Sequence, residues 1–329
     1  MIKRGFHYNP STSDLELYVN GTKVDSWNSS GKAGNVYHVN NITGSASASG
    51  LSWSEAFDQV STAIVAATAH GLALTGVAPT AAGFYGRDTI LIMGSGTPYT
   101  AVATAACNKL DFIGIGDNPR GDGMGICVIT GANVADAWSA TASMRGNTWY
   151  NIQFDASGTS YCAFDATNVL RSRFEECAFM GDAHYNESLI AGLRTSTDSA
   201  FDGNTVYRCF FGSNWAGLTS GMYFGGSLSD TVIQDCVIIG CVTNGIIIAS
   251  DALTIGGVIK DNIIQAVTYG IKSSSAQSML SIVGNYITSA DAINIVAGGT
   301  ATGEHMCLGN IVSNAGTVVS GVGETPSGA

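Results

Sequence analysis

Asp182, His184 and Glu187 bring two carboxylates and an imidazole within six residues of one another. These are the group types that general acid and general base cleavage of a glycosidic bond requires. A second acidic set is spaced differently. Asp235 and Asp261 lie 26 residues apart, and they act together only if the chain returns to the same flank over that interval. Two carboxylates so placed perturb each other's protonation. Each set also has a plainer account, and it is the preferred one. The first is a solvated polar loop. The second, with Arg208 and Lys260 beside it, is a surface ladder of ion pairs. Binding asks for less than catalysis, and Trp138, Tyr185, Tyr207, Trp215 and Tyr223, with Arg194, offer aromatic faces and a cation for it.

Other chemistries find no support. The five histidines are scattered without metal-ligand spacing and no CxxC pair occurs, so no metal site is expected. Gly94-Ser95-Gly96 is not followed by the helix that a phosphate loop needs, and no cofactor is implied. Arg120-Gly121-Asp122 matches an adhesion tripeptide but reads better as a glycine-rich turn. Charged residues make up only 12 % of the chain, and 14 basic against 25 acidic residues leave a net charge of −11. That balance disfavours nucleic acid and anionic membrane surfaces as partners. The opening MIKRGFHYNP lacks the apolar core of a signal peptide, and the apolar stretch 64–82 is broken by His70, Gly71, Gly76 and Pro79. The expectation is a chain made in a cytoplasm, with neither a signal peptide nor a transmembrane segment.

A repeat must position these groups. The strings WYNIQF (149–154), FEECAF (174–179), VYRCFF (206–211), IQDCVI (233–238), IKDNII (259–264), IVGNYI (282–287) and CLGNIV (307–312) share one pattern. Their central residues Ile152, Cys177, Cys209, Cys236, Asn262, Asn285 and Asn310 are separated by 25, 32, 27, 26, 23 and 25 residues. A period in the twenties with strand-like content fits one coil of a parallel β-helix and not the longer helical or propeller repeats. Coils stack about 4.8 Å apart, so the first and last positions become apolar ladders pointing inward. The central cysteines act as small buried hydrophobes, and Asn262, Asn285 and Asn310 form an amide ladder. A second strand per coil recurs at 161–166, 221–226, 245–250, 270–275, 292–297 and 317–322. The column before the central residue points outward and contains Asp235 and Asp261. Two intervals are long: 39 residues from Ile113 to Ile152, and 32 from Cys177 to Cys209. Their excess is expected to project as loops. The first contains Arg120, Asp122 and Trp138; the second contains Asp182, His184, Tyr185, Glu187 and Arg194.

The ends are also legible. Ser52 and Glu55 have capping-box spacing, and Trp53, Ala56, Phe57, Val60 and Ile64 share a helical face. This predicts a capping helix near 52–70 that stops at Gly71 and covers the open end of the solenoid. Asn20-Gly21 within DLELYVNGTKVDSW predicts a hairpin. The chain therefore divides into a small β module at 1–33, whose plainer role is an extra cap, and a β-helix at 34–329.

The capping segment LSWSEAFDQVSTAIVAA, followed by DTILIMGSGTPYT and LDFIGIG, resembles the opening of pectin-lyase-like right-handed parallel β-helix proteins, over about residues 35–325. The resemblance implies an all-β, single-stranded right-handed solenoid. The superfamily includes polysaccharide lyases, glycoside hydrolases and bacteriophage virion proteins, and fold does not choose among them. The Asp/Asp and Lys/Arg sets of its enzymes are not reproduced here. The expected function is a virion structural protein, such as a tailspike, tail fibre or decoration. It is expected to be homotrimeric, to contact other virion proteins through residues 1–33, and to touch a host-surface polysaccharide. The alternative is a depolymerase, either a lyase or a glycoside hydrolase.

Overall fold

The computed structural model describes residues 4–9, 14–19, 22–27, 34–75, 87–104, 107–120, 125–132, 134–156, 160–181, 190–196, 199–213, 218–249, 254–274, 278–295, 306–313 and 317–320. Arg4–Asn9, Asp14–Val19 and Thr22–Trp27 form a three-stranded antiparallel sheet. Val19 opposes Thr22, which leaves two residues for the turn where Asn20-Gly21 predicts a hairpin.

The rest is an all-β parallel β-helix. Among the described residues its first face has ten parallel strands, stacked in chain order: Val36–Val39, Asp88–Met93, Leu110–Ile115, Thr148–Tyr150, Arg173–Glu175, Thr205–Tyr207, Val232–Gln234, Thr254–Lys260, Ser278–Val283 and Met306–Leu308. The second face runs from Tyr99–Thr100 and Val128–Ala132 through Gln153–Ala156, Ala178–Gly181 and Phe210–Ser213 to Ile263–Ala266, Tyr286–Thr288 and Ile311–Ser313. The third runs from Val102–Thr104 and Trp138–Ala140 through Cys162–Ala166, Ala191–Thr195 and Leu218–Phe224 to Tyr269–Ser273, Asp291–Ile295 and Thr317–Ser320. Val237–Ile248 is long enough to serve both faces of its coil.

The two predicted apolar ladders fill the interior. Trp149, Phe174, Val206, Ile233, Ile259 and Ile282 have no exposed surface, and neither have Phe154, Phe179, Phe211, Ile238, Ile264 and Ile287. Parallel register places like rings over one another: Trp149 and Phe174 stack at 4.5 Å and 7°, Phe179 and Phe211 at 4.6 Å and 4°. Each fully buried large side chain contributes about 1.5–3 kcal/mol, and each such ring pair about 0.5–1.5 kcal/mol more.

The outward column of the repeat is a turn. Asn151, Glu176, Arg208, Asp235, Asp261, Gly284 and Gly309 all have φ between 52° and 66°. This left-handed residue bends the chain between the first and second faces, and it lets the next residue point inward. Asn262, Asn285 and Asn310 use that position as predicted. The Asn262 backbone N–H and side-chain amide both donate to Asn285 Oδ1, and Asn285 repeats the pattern on Asn310.

The opposite corner carries the same device. Lys109, Gly146, Arg171, Gly203 and Asp230 are left-handed there, with φ from 49° to 69°. The residues after the last four, Asn147, Ser172, Asn204 and Thr231, form a second buried polar ladder. In it Asn147 N donates to Ser172 Oγ at 3.1 Å, Ser172 N to Asn204 Oδ1 at 2.7 Å and Asn204 N to Thr231 Oγ1 at 3.2 Å.

The N-terminal end differs from expectation in four respects. Val36–Val39 is already a solenoid strand, so the helix interrupts the first coils and does not precede them. The helix is Val60–Thr75, while Trp53–Glu55 is a single 3-10 turn whose Ser52 makes no side-chain cap. The chain at 50–57 instead closes the free edge of Val36–Val39: His38 N donates to Gly50 O, Phe57 N to His38 O and Asn40 N to Phe57 O. Edge pairing of this kind satisfies backbone groups that a helix alone would leave open. Gly71 does not stop the helix. Val60, Ala63, Ile64 and Ala67 form its buried stripe, and His70 continues that face to reach Asp88 at 3.0 Å.

Candidate functional site

A cleft of about 430 Å³ lies over the turn column, lined by Gly116, Asn118, Pro119, Arg120, Tyr150, Asn151, Glu176 and Arg208. Its wall is built by the first long interval. After Leu110–Ile115 the chain leaves the coil, and Asp117 N and Gly94 N anchor the base of the excursion on Gly125 O and Ile115 O. A Cβ on Gly94 or Gly116 would run into the Gly125 carbonyl, so the close approach requires glycine at both. The segment then runs along the solenoid axis. Arg120 Nη2 donates to Arg208 O at 3.0 Å, three coils beyond the coil of Ile113. Three coil steps are about 14 Å, within reach of five residues and an arginine side chain.

The floor comes from the column itself. Asn151 Nδ2 donates to Gly114 O at 3.1 Å. Tyr150 Oη donates to Glu176 Oε2 at 2.9 Å, and burial, together with that carboxylate, holds the phenol pKa well above its ordinary value. Arg208 Nη1 lies 3.7 Å from Glu176 Oε1. Its guanidinium sits over the Tyr207 ring at 4.8 Å, with Arg173 at 5.9 Å from the same ring. Arg120 stands over Phe210 at 5.6 Å. Arg173 pairs with Glu175 at 2.8 Å. Among the described residues the cleft thus has two guanidinium groups, one phenol and one carboxylate, and that carboxylate is already engaged.

The remaining residues singled out from sequence fall elsewhere. Trp138 is not in a loop. It lies in a third-face strand with no exposed surface, stacked on Phe164 at 5.7 Å, so it cannot meet a ligand. Arg194 is likewise on a third-face strand, where Asp165 takes its guanidinium in two bonds of 2.8 and 2.7 Å. Tyr223 is its half-buried neighbour on the next coil. Asp235 and Asp261 follow Arg208 in the turn column. No ion pair among the described residues reaches either, so the ladder of ion pairs expected there is replaced by the single Arg208–Glu176 contact one coil earlier. Asp182, His184, Tyr185, Glu187, Trp215 and Asp122 lie outside the described residues. Among the described residues no three His, Cys, Asp or Glu side chains converge as metal ligands, and no helix is long and apolar enough to cross a membrane.

No protein-family model matches the chain, and no curated protein matches it. One solved structure is similar in outline: a tailspike protein double mutant of E. coli bacteriophage HK620. It shares 10 % identity with a TM-score of 0.37, over 69 % of this chain and 54 % of that one. The chain thus spans about half the length of that tailspike.

Proposed function

We propose that the chain is a structural protein of a bacteriophage virion (a tailspike, tail fibre or decoration) that holds a host-surface glycan in the cleft over the turn column without cutting it. The observation that carries this reading is the composition of the cleft. Hydrolysis of a glycosidic bond takes two carboxyl groups flanking the scissile bond, about 5–10 Å apart. The described lining offers Glu176 alone, tied to Tyr150 and Arg208. Binding needs a groove, polar groups and aromatic edges, and these are present on a rigid scaffold.

Assembly as a homotrimer is supported by an outward apolar column on the second face. Ile263, Tyr286 and Ile311 are successive cross-strand neighbours, 50, 45 and 63 % exposed. Gly284 and Gly309 in the adjoining turn column leave that edge low. An exposed stripe of this kind is removed from water by a partner. The antiparallel sheet at 4–27 is the candidate for attachment to other virion proteins. Antibody raised against residues 34–329 is expected to decorate intact source particles, and the purified chain to sediment as a trimer. An unlabelled particle and a monomer would overturn the reading.

A further inference from the structure

We infer that the cleft selects an acidic saccharide, one whose ring carries a carboxylate, which Arg120 and Arg208 take between them. The inference rests on the glycan-binding reading and deepens it. The chain carries a net charge of −11 with only 14 basic residues, yet two of its eight arginines meet at this one cleft and a third, Arg173, stands beside it. Arg120 is exposed and has no carboxylate partner among the described residues. Its contacts are one carbonyl and the face of Phe210. Those contacts fix the guanidinium plane while leaving donors without a partner among the described residues, which is how an arginine is prepared for a planar anion.

Arg208 is held more loosely. Its ion pair with Glu176 is 3.7 Å long, with side chains 55 and 38 % exposed, and such a pair is worth little in water. An incoming carboxylate therefore exchanges with Glu176 at small cost, and Glu176 keeps the Tyr150 hydroxyl. The described lining carries two positive charges and one negative charge. Its surplus of one matches a monoanionic uronate better than a dianionic phosphate. Tyr207, beneath the Arg208 guanidinium, keeps that side chain over the cleft.

The test uses the full chain and a panel of bacterial capsular polysaccharides and lipopolysaccharide O-chains, each in native form and with its uronate carboxyls reduced to alcohols. Affinity is read by calorimetry or affinity electrophoresis. Binding of at least one uronate-bearing member, weakened tenfold or more by carboxyl reduction, is the expected result. Arg120→Gln and Arg208→Gly should each weaken that binding by a similar factor, and Glu176→Gln should strengthen it. Arg208 has φ 53°, so glycine fits the backbone there and the variant keeps the fold. Binding that survives carboxyl reduction, or that is confined to neutral members, overturns the inference and leaves the glycan-binding reading standing. Binding to no member overturns both.

Discussion

Asn285 Oδ1 accepts two hydrogen bonds from Asn262, one from the backbone N–H at 3.0 Å and one from the side-chain amide at 2.9 Å, while Asn285 Nδ2 donates to Ile259 O at 3.0 Å. One side chain thereby closes the turn of the coil before it. Asn285 has no exposed surface, so water replaces none of these bonds. Asn285→Leu orphans the Asn262 backbone N–H and leaves its side-chain amide with Ile233 O alone, and each buried unmade bond costs about 1–3 kcal/mol. The expected loss is about 2–4 kcal/mol in denaturant unfolding. An unchanged midpoint would mean that this column is not the structural ladder described.

The same column becomes cysteine toward the N-terminus. Cys177, Cys209 and Cys236 are buried and unpaired in disulfides. Burial pushes the Cys177 and Cys236 thiols well above their ordinary pKa, and takes Cys107 and Cys241 up to about 12. Thiolate is the reactive form. Native labelling at pH 8 should therefore spare Cys177, Cys236, Cys107 and Cys241, should spare Cys209 because it has no exposed surface for a reagent to reach, and should reach Cys307, which is half-buried on the last first-face strand. Mass spectrometry of the labelled peptides reads this out, and rapid native modification of Cys209 would contradict it.

Left-handed corners make a paired prediction. Gly284 has φ 66°, and a Cβ there would meet Asp261 Oδ1 at 2.6 Å. Gly284→Val should cost about 1–2 kcal/mol or more, since a β-branched residue resists this conformation. Arg208→Gly, in the same column, should melt within a few degrees of the parent. Equal losses for the two would show that the corner is not set by backbone conformation.

His38 supplies a pH dependence. It is 3 % exposed, its Nδ1 lies 3.1 Å from Gly50 O, and its Nε2 has no partner. Desolvation lowers its pKa below 6.5, opposed by the Gly50 bond. The unfolded chain therefore binds the proton more readily, and stability falls as pH drops below 6.5 toward the folded value. Asp88 works in the opposite sense at more acid pH. Burial raises its pKa above 3.8 against the bonds from Asn35 and His70, so the stability it contributes is present below 3.8 and is lost as pH rises through the folded value. Melting temperature should drop between pH 7 and 5.5, and His38→Gln should flatten that slope.

The first ladder is legible because three successive cysteines and then three successive asparagines recur at a spacing in the twenties between apolar flanks. Asn147, Ser172, Asn204 and Thr231 escaped notice although their intervals of 25, 32 and 27 repeat those of Ile152, Cys177, Cys209 and Cys236. The position asks only for a side-chain oxygen one atom or two beyond Cβ, and three residue types meet it. Trp138 lies in a strand and not in a loop for a different reason. The 39-residue interval leaves the coil after Ile115 and is back in it by Cys127, which is buried in the core and accepts from Gln153 N, and the part holding Trp138 is ordinary coil. The cleft was half legible. Glu176, Arg208 and Asn151 were visible as one outward column, but that Arg120 crosses three coils to meet them depends on the path of the excursion, which no local pattern encodes.

Binding without cleavage is checked by incubating the chain with the polysaccharide that calorimetry finds it to bind, and following new reducing ends and unsaturated-uronate absorbance over time. Saturable binding, weakened by Arg120→Gln, with neither product above background, is the expected result. Turnover abolished by Glu176→Gln would contradict it and make the cleft the active site of a depolymerase.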